Sequence, residues 1–129
     1  MQKEAVTDAK QRPGFQKDLR DRTKAFALRI VRMFSALPKT TEAQVLGKQL
    51  LRSGTSIGAN YREAFRARSK AEFIAKCGDS LREIEESAYW LELLVESGVA
   101  SAEKLARLRQ ECEELTAIFV TILKRAKTS

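Results

Sequence analysis

Apolar residues recur along most of this chain at steps of three and four, the spacing of amphipathic helices rather than strands. Leu19, Phe26, Ile30, Met33 and Leu37 make the first series, with one step taken across Thr23. It predicts a helix from about Phe15 to Ala36, stopped by Pro38. Leu46, Leu50, Gly54, Ile57 and Tyr61 make the second, with Thr40 or Thr41 as an acceptable N-cap. Inside it, residues 53–60 are the poorest helix formers of the chain, because two glycines cost about 1 kcal/mol each relative to alanine. A loop is the rival reading there. The stripe keeps its phase on both sides, which favours a helix, and small residues at 54 and 58 would let a neighbouring helix come close.

Ser69 followed by Glu72 is a capping box and starts a third helix. Phe73, Cys77, Leu81, Ile84, Ala88, Leu91 and Val95 form its stripe, and Gly98 suits the position just past its end. Ser101 caps a fourth, striped by Leu105, Leu108, Cys112, Leu115, Phe119 and Ile122. Lys124, Arg125 and Lys127 in its last turn match the negative end of the helix dipole. Long helices joined by short connections favour antiparallel neighbours. The expectation is an all-α, antiparallel up-down-up-down four-helix bundle over residues 15–127, behind a flexible tail 1–14 closed by Pro13 and Gly14.

Some apolar residues fall off these stripes. On a helical wheel Trp90 lies about 120° and Leu93 about 180° from Ile84, while Leu28 and Val31 lie about 160° and 140° from Phe26. A cluster that includes the only tryptophan predicts an oligomer interface, since aromatics concentrate at buried interface centres. A wide core with a few exposed aliphatics is the plainer alternative.

Composition narrows the class. A chain of 129 residues, 32% charged and 43% hydrophobic, suits one helical domain rather than a disordered protein. No run of about 18 apolar residues predicts a membrane span, and the polar start lacks the apolar stretch of a signal peptide. The expectation is an intracellular, cytoplasmic protein with no membrane partner. There is no histidine, which removes the commonest general base and metal ligand. Cys77 and Cys112 form no zinc spacing and lie on apolar faces, as small hydrophobes. In antiparallel register they would stand about 15 Å apart along the helices, too far for a disulfide. No cofactor and no metal are expected.

Charge is distributed unevenly. Lys17, Arg20, Arg22 and Lys24 outweigh Asp18 and Asp21 by +2. Arg62, Arg66, Arg68, Lys70 and Lys76 outweigh Glu63 and Glu72 by +3, and residues 124–127 add +3, against +7 for the whole chain. An antiparallel bundle brings these three segments to one end, while 35–48 and 92–104 at the other carry +1 and −2. A one-ended positive field attracts polyanions and makes nucleic acid the first partner to test. The predicted contacts are Arg20, Arg22, Arg62, Arg66, Arg68, Lys70, Lys124 and Arg125. With only Phe65 and Tyr61 as nearby aromatics, binding would read backbone and shape rather than bases. Solubilising charge is the alternative.

Residues 51–64 (Leu-Arg-Ser-Gly-Thr-Ser-Ile-Gly-Ala-Asn-Tyr-Arg-Glu-Ala) are followed by Arg68-Ser69-Lys70-Ala71-Glu72-Phe73, then Leu81-Arg82-Glu83-Ile84-Glu85-Glu86 and Tyr89-Trp90-Leu91-Glu92-Leu93-Leu94. Ser56, Asn60 and Glu63, with their spacing to Arg68-Ser69 and Tyr89-Trp90-Leu91, form the most specific signal. Over roughly residues 20–122 the chain resembles the bacterial four-helix-bundle family encoded by intervening sequences of large-subunit ribosomal RNA genes. It departs in having Ala64 where many members carry glycine. The resemblance implies a ring-like homopentamer without established enzymatic activity. It also implies a likeness in fold to the accessory protein of diversity-generating retroelements, a basic bundle that binds a reverse transcriptase and nucleic acid.

The expected function is therefore a non-enzymatic oligomeric scaffold for structured nucleic acid, RNA rather than DNA. An adaptor docking a nucleic-acid-processing enzyme such as a reverse transcriptase is the first alternative. A small enzyme using Asn60 and Glu63 with Glu83 and Glu86 on the third helix is the second, since paired carboxylates can do acid–base work or hold a divalent metal.

Overall fold

The computed structural model describes residues 13–128. They form four helices, α1 (Pro13–Ala36), α2 (Thr41–Ala64), α3 (Lys70–Glu96) and α4 (Ala102–Thr128), with no strand among them. The first helix begins two residues before the expected start. Pro13 and Gly14, expected to close a tail, are its first turn, where a proline's missing N–H costs nothing. The rest of the expected tail lies outside the described residues.

The ends follow the local chemistry. The N-cap of α2 is Thr40, whose hydroxyl accepts from the Ala43 amide at 3.3 Å. Ser69 accepts from the Glu72 amide at 3.1 Å, and Ser101 from the Lys104 amide at 3.2 Å. Gly98 sits at φ +79°, a left-handed conformation that favours glycine and turns the chain out of α3. The weak stretch 53–60 is helical without a break.

Consecutive helices run antiparallel. On α1 and α2, Thr23 faces Gly58, Ile30 faces Gly54, and Phe34 and Leu37 face Gly47, so numbering ascends on one helix as it descends on the other. A Cβ at Gly47 would stand 2.6 Å from Leu37 Cδ1, and one at Gly58 3.0 Å from Thr23 Oγ1. The glycines thus let α1 approach closely. Between α2 and α3 the Ser53 and Ser87 hydroxyls meet at 2.8 Å, and Ser80 donates to the Ile57 carbonyl at 2.9 Å. All three serines are fully buried. This is the most extensive helix pair, whereas α1 and α4 approach closely at few points.

The α3 stripe needs correcting. Ser80, Ser87 and Leu94 are buried where Leu81 and Val95 are half-buried and Ala88 is exposed. Phe73, Cys77, Ile84 and Leu91 are buried as expected, and only these three positions shift by one residue, two of them because serine hydroxyls satisfied across a close crossing pack as small side chains. Thr23 likewise belongs to the core, its hydroxyl donating to the Leu19 carbonyl at 2.9 Å. Cys77 and Cys112 are free and buried, and burial pushes the Cys112 thiol up to about 12.

Candidate nucleic-acid interface

Antiparallel order puts the start of α1, the 65–69 turn and the end of α4 at one pole. The Arg20 guanidinium lies 5.4 Å from the Phe65 ring centre, which joins α1 to the α2–α3 corner. Phe65 packs edge-on against Tyr61 at 4.7 Å, and Tyr61 against Phe119 of α4 at 5.5 Å. An aromatic spine therefore connects all three charged segments. Tyr61 is fully buried and offers no surface for a base, so of the two expected aromatics only half-buried Phe65 remains, already covered on one side by Arg20. The Tyr61 hydroxyl has no hydrogen-bond partner among the described residues, and burial raises its pKa.

The cations at this pole have different commitments. Arg62, Arg66, Arg68 and Lys124 are exposed and join none of the ion pairs among the described residues. Lys70 is half-buried and Arg125 exposed, each with an interaction of its own. Lys76 is bonded to Glu63 at 2.7 Å, and that hydrogen bond holds its ammonium above the ordinary lysine value. Arg22 is spent inward. It reaches across to α4, meeting Glu111 at 2.7 Å and Glu114 at 2.5 Å. The Glu111 hydrogen bonds raise its already high pKa. Arg22 thus stands apart from the other expected contacts as a clamp between α1 and α4. Sequence alone gave no sign of this, because its partners are about 90 residues away.

The carboxylates of the enzyme alternative do not converge. Glu63 is paired with Lys76, while Glu83 and Glu86 both bind Arg52. No group of three or more acidic or cysteine side chains that could hold a metal occurs among the described residues.

Away from the pole, Leu28 is 43% and Val31 41% exposed, as their off-stripe positions predicted. Trp90 and Leu93 are half-buried. The Trp90 ring N–H donates to Glu86 at 3.0 Å, and the Trp90 and Tyr89 rings meet in a T-shaped contact with centres 5.1 Å apart. Tyr89 itself, 52% exposed, was missed by the sequence reading. It lies four residues before Leu93, a spacing that marks one helix face.

The fold and its charged pole define a small antiparallel helical bundle without a recognisable catalytic centre among the described residues. Residues 17–121 match the model of the 23S rRNA-intervening sequence protein family, and the chain belongs to that family. It is similar to a crystallised protein of unknown function from the S23 ribosomal protein family of Bacteroides thetaiotaomicron. The two are 40% identical over 81% of this chain and 97% of the other, with a TM-score of 0.77. No curated protein matches the chain. The family description names no reaction. No helix among the described residues is long and apolar enough to cross a membrane.

Proposed function

We propose that this protein is a non-enzymatic, self-associating scaffold that holds structured nucleic acid, RNA in preference to DNA, against its basic pole. The observation that carries this reading is the set of exposed, uncommitted cations Arg62, Arg66, Arg68 and Lys124, around a corner that Arg20 and Phe65 tie to the start of α1. Side chains free of internal carboxylates can exchange their counterions for phosphates without first breaking an ion pair. Among the described residues at this pole Tyr61 is buried and Phe15 and Phe65 are half-buried against the core, which supports recognition of backbone and shape. A ring of five, the number the family resemblance implies, would repeat the pole around its axis and multiply affinity by avidity.

The test is a salt titration of binding to a structured RNA and to duplex DNA of equal length. Binding should weaken steeply with salt, with a log–log slope of about −0.9 per phosphate neutralised on duplex DNA. Combined Arg62→Glu, Arg66→Glu and Arg68→Glu should lower affinity at least about tenfold and flatten the slope. Unchanged binding in that variant overturns the reading. A wild-type chain that binds no nucleic acid yet retains a polymerase from solution would point to the adaptor role instead.

A further inference from the structure

The seam between α1 and α4 changes character along its length. At Arg22 it is closed by opposite charges, through Glu111 and Glu114. Arg29 follows Arg22 by seven residues, and Arg107 precedes Glu114 by seven. Equal steps in opposite directions keep antiparallel residues level, so Arg29 and Arg107 stand level with each other about 10 Å beyond the clamp, on the side away from the basic pole. There like charges oppose each other. The helices leave a cleft of about 690 Å³, lined by both arginines with Ala106, Gln110, Glu111 and Glu114.

The charges inside this cleft are unequally committed. Glu111 accepts two bonds from Arg22, at 2.7 and 2.9 Å. Glu114 accepts from Arg22 at 2.5 Å and from Gln110 at 3.0 Å. Arg29, half-buried, and Arg107, exposed, join none of the ion pairs among the described residues. Two cations facing each other in a partly enclosed cleft repel more strongly than in open water, and an anion between them turns that repulsion into attraction.

We propose that Arg29 and Arg107 form an anion site that takes a phosphate group, bridging α1 and α4 where the clamp does not reach. Each guanidinium offers a planar fork of N–H donors that fits a pair of phosphate oxygens. A phosphate monoester carries about −1.5 to −2 charges at pH 7, which matches two arginines better than a single carboxylate does. Glu111 and Glu114 repel an anion that slides toward the clamp, which keeps the phosphate at the arginine layer. Apart from Ala106 the lining is polar, which suits a small polar ligand. The site goes beyond the basic pole and does not depend on it.

The test is an NMR titration of the full chain with inorganic phosphate at fixed pH and ionic strength, with chloride as the balancing anion. The Nε–H signals of Arg29 and Arg107 should move together along one saturating curve. Arg29→Gln and Arg107→Gln should each weaken phosphate binding at least about tenfold, with helicity checked by circular dichroism. Arg107→Gln, at the exposed position, serves alone if Arg29→Gln unfolds. The chain carrying Arg62→Glu, Arg66→Glu and Arg68→Glu should bind phosphate as the wild type does. Signals that never saturate, or that move independently, overturn the site. So does a helical glutamine variant that keeps its affinity, or a pole variant that loses it. Two further titrations identify the source of the phosphate. Glycerol 3-phosphate that displaces inorganic phosphate, while structured RNA does not, assigns the site to a small phosphate monoester. RNA that displaces it assigns the site to a nucleic-acid backbone. The two proposals fail separately: a chain that binds phosphate in the cleft but no RNA sinks only the pole, and salt-sensitive RNA binding without a phosphate response at Arg29 sinks only the cleft.

Discussion

The α2–α3 and α1–α4 seams of this bundle are held by different physics. Between α2 and α3, small side chains let the helices close, and three buried serines satisfy each other or a backbone carbonyl. Between α1 and α4, Arg22 spans the gap to Glu111 and Glu114, with Gln110 bracing Glu114 at 3.0 Å. Tight packing tolerates almost no change in volume, because interiors are as dense as organic crystals. A side-chain clamp tolerates volume change but depends on charge. The comparison makes α2–α3 the rigid half on which the 65–69 corner is mounted, and α1 the helix whose docking to its far neighbour responds to conditions.

The largest expected effect is a volume change in the closed seam. Ser87→Leu should cost about 3 kcal/mol in chemical denaturation, from overpacking and from removing the hydroxyl contact across the seam, which leaves Ser53 only its bond to the Leu50 carbonyl. A change below about 0.5 kcal/mol would mean that the seam has slack that the serine contacts do not suggest.

Breaking the clamp should cost less and act locally. Arg22→Met should remove about 1–2 kcal/mol, since the Glu111 side chain, 15% exposed, loses its charged donor. Hydrogen exchange should show protection falling in α1 while α2 and α3 keep theirs. Equal loss in all four helices would mean that the seams are not separable.

Acid should reproduce part of this effect. The Gln110 hydrogen bond, then that from Arg22, holds the Glu114 carboxyl below its ordinary value of 4.5. A depressed carboxylate contributes stability that is present above its unfolded pKa and lost as pH falls through the folded one. The α1–α4 seam should therefore loosen first below pH 4.5. That early step should be weaker in Arg22→Met but not abolished, because the Gln110 hydrogen bond to Glu114, the larger cause, remains.

The smallest effect is expected at the aromatic spine. Tyr61→Phe removes a buried hydroxyl that has no partner among the described residues. The change should be neutral or stabilising by up to about 1 kcal/mol. A clear loss of stability would show that the hydroxyl has a partner beyond those residues.

Much of this was legible in the sequence, for reasons visible at particular residues. Capping side chains bond within their own turn, so Ser69, Ser101 and Gly98 marked boundaries without knowledge of the fold. Leu28 and Val31 were recognisable because helical phase is a property of one element. The buried serines were not, since a serine joins the core only when another helix supplies its partner. Among the charges, sequence found the segments but could not sort them. Arg22 and Arg62 look alike along the chain, yet one is committed to α4 and the other faces solvent.

The order of apolar and capping residues by itself determined four helices, most of their ends and their antiparallel sequence, because each depends on interactions within a turn or on short connections. Tertiary structure alone decided which polar side chains are consumed inside the bundle and which remain for a partner. A hydrogen bond or ion pair between distant helices depends on crossing distance and rotation, and neither is written in local spacing.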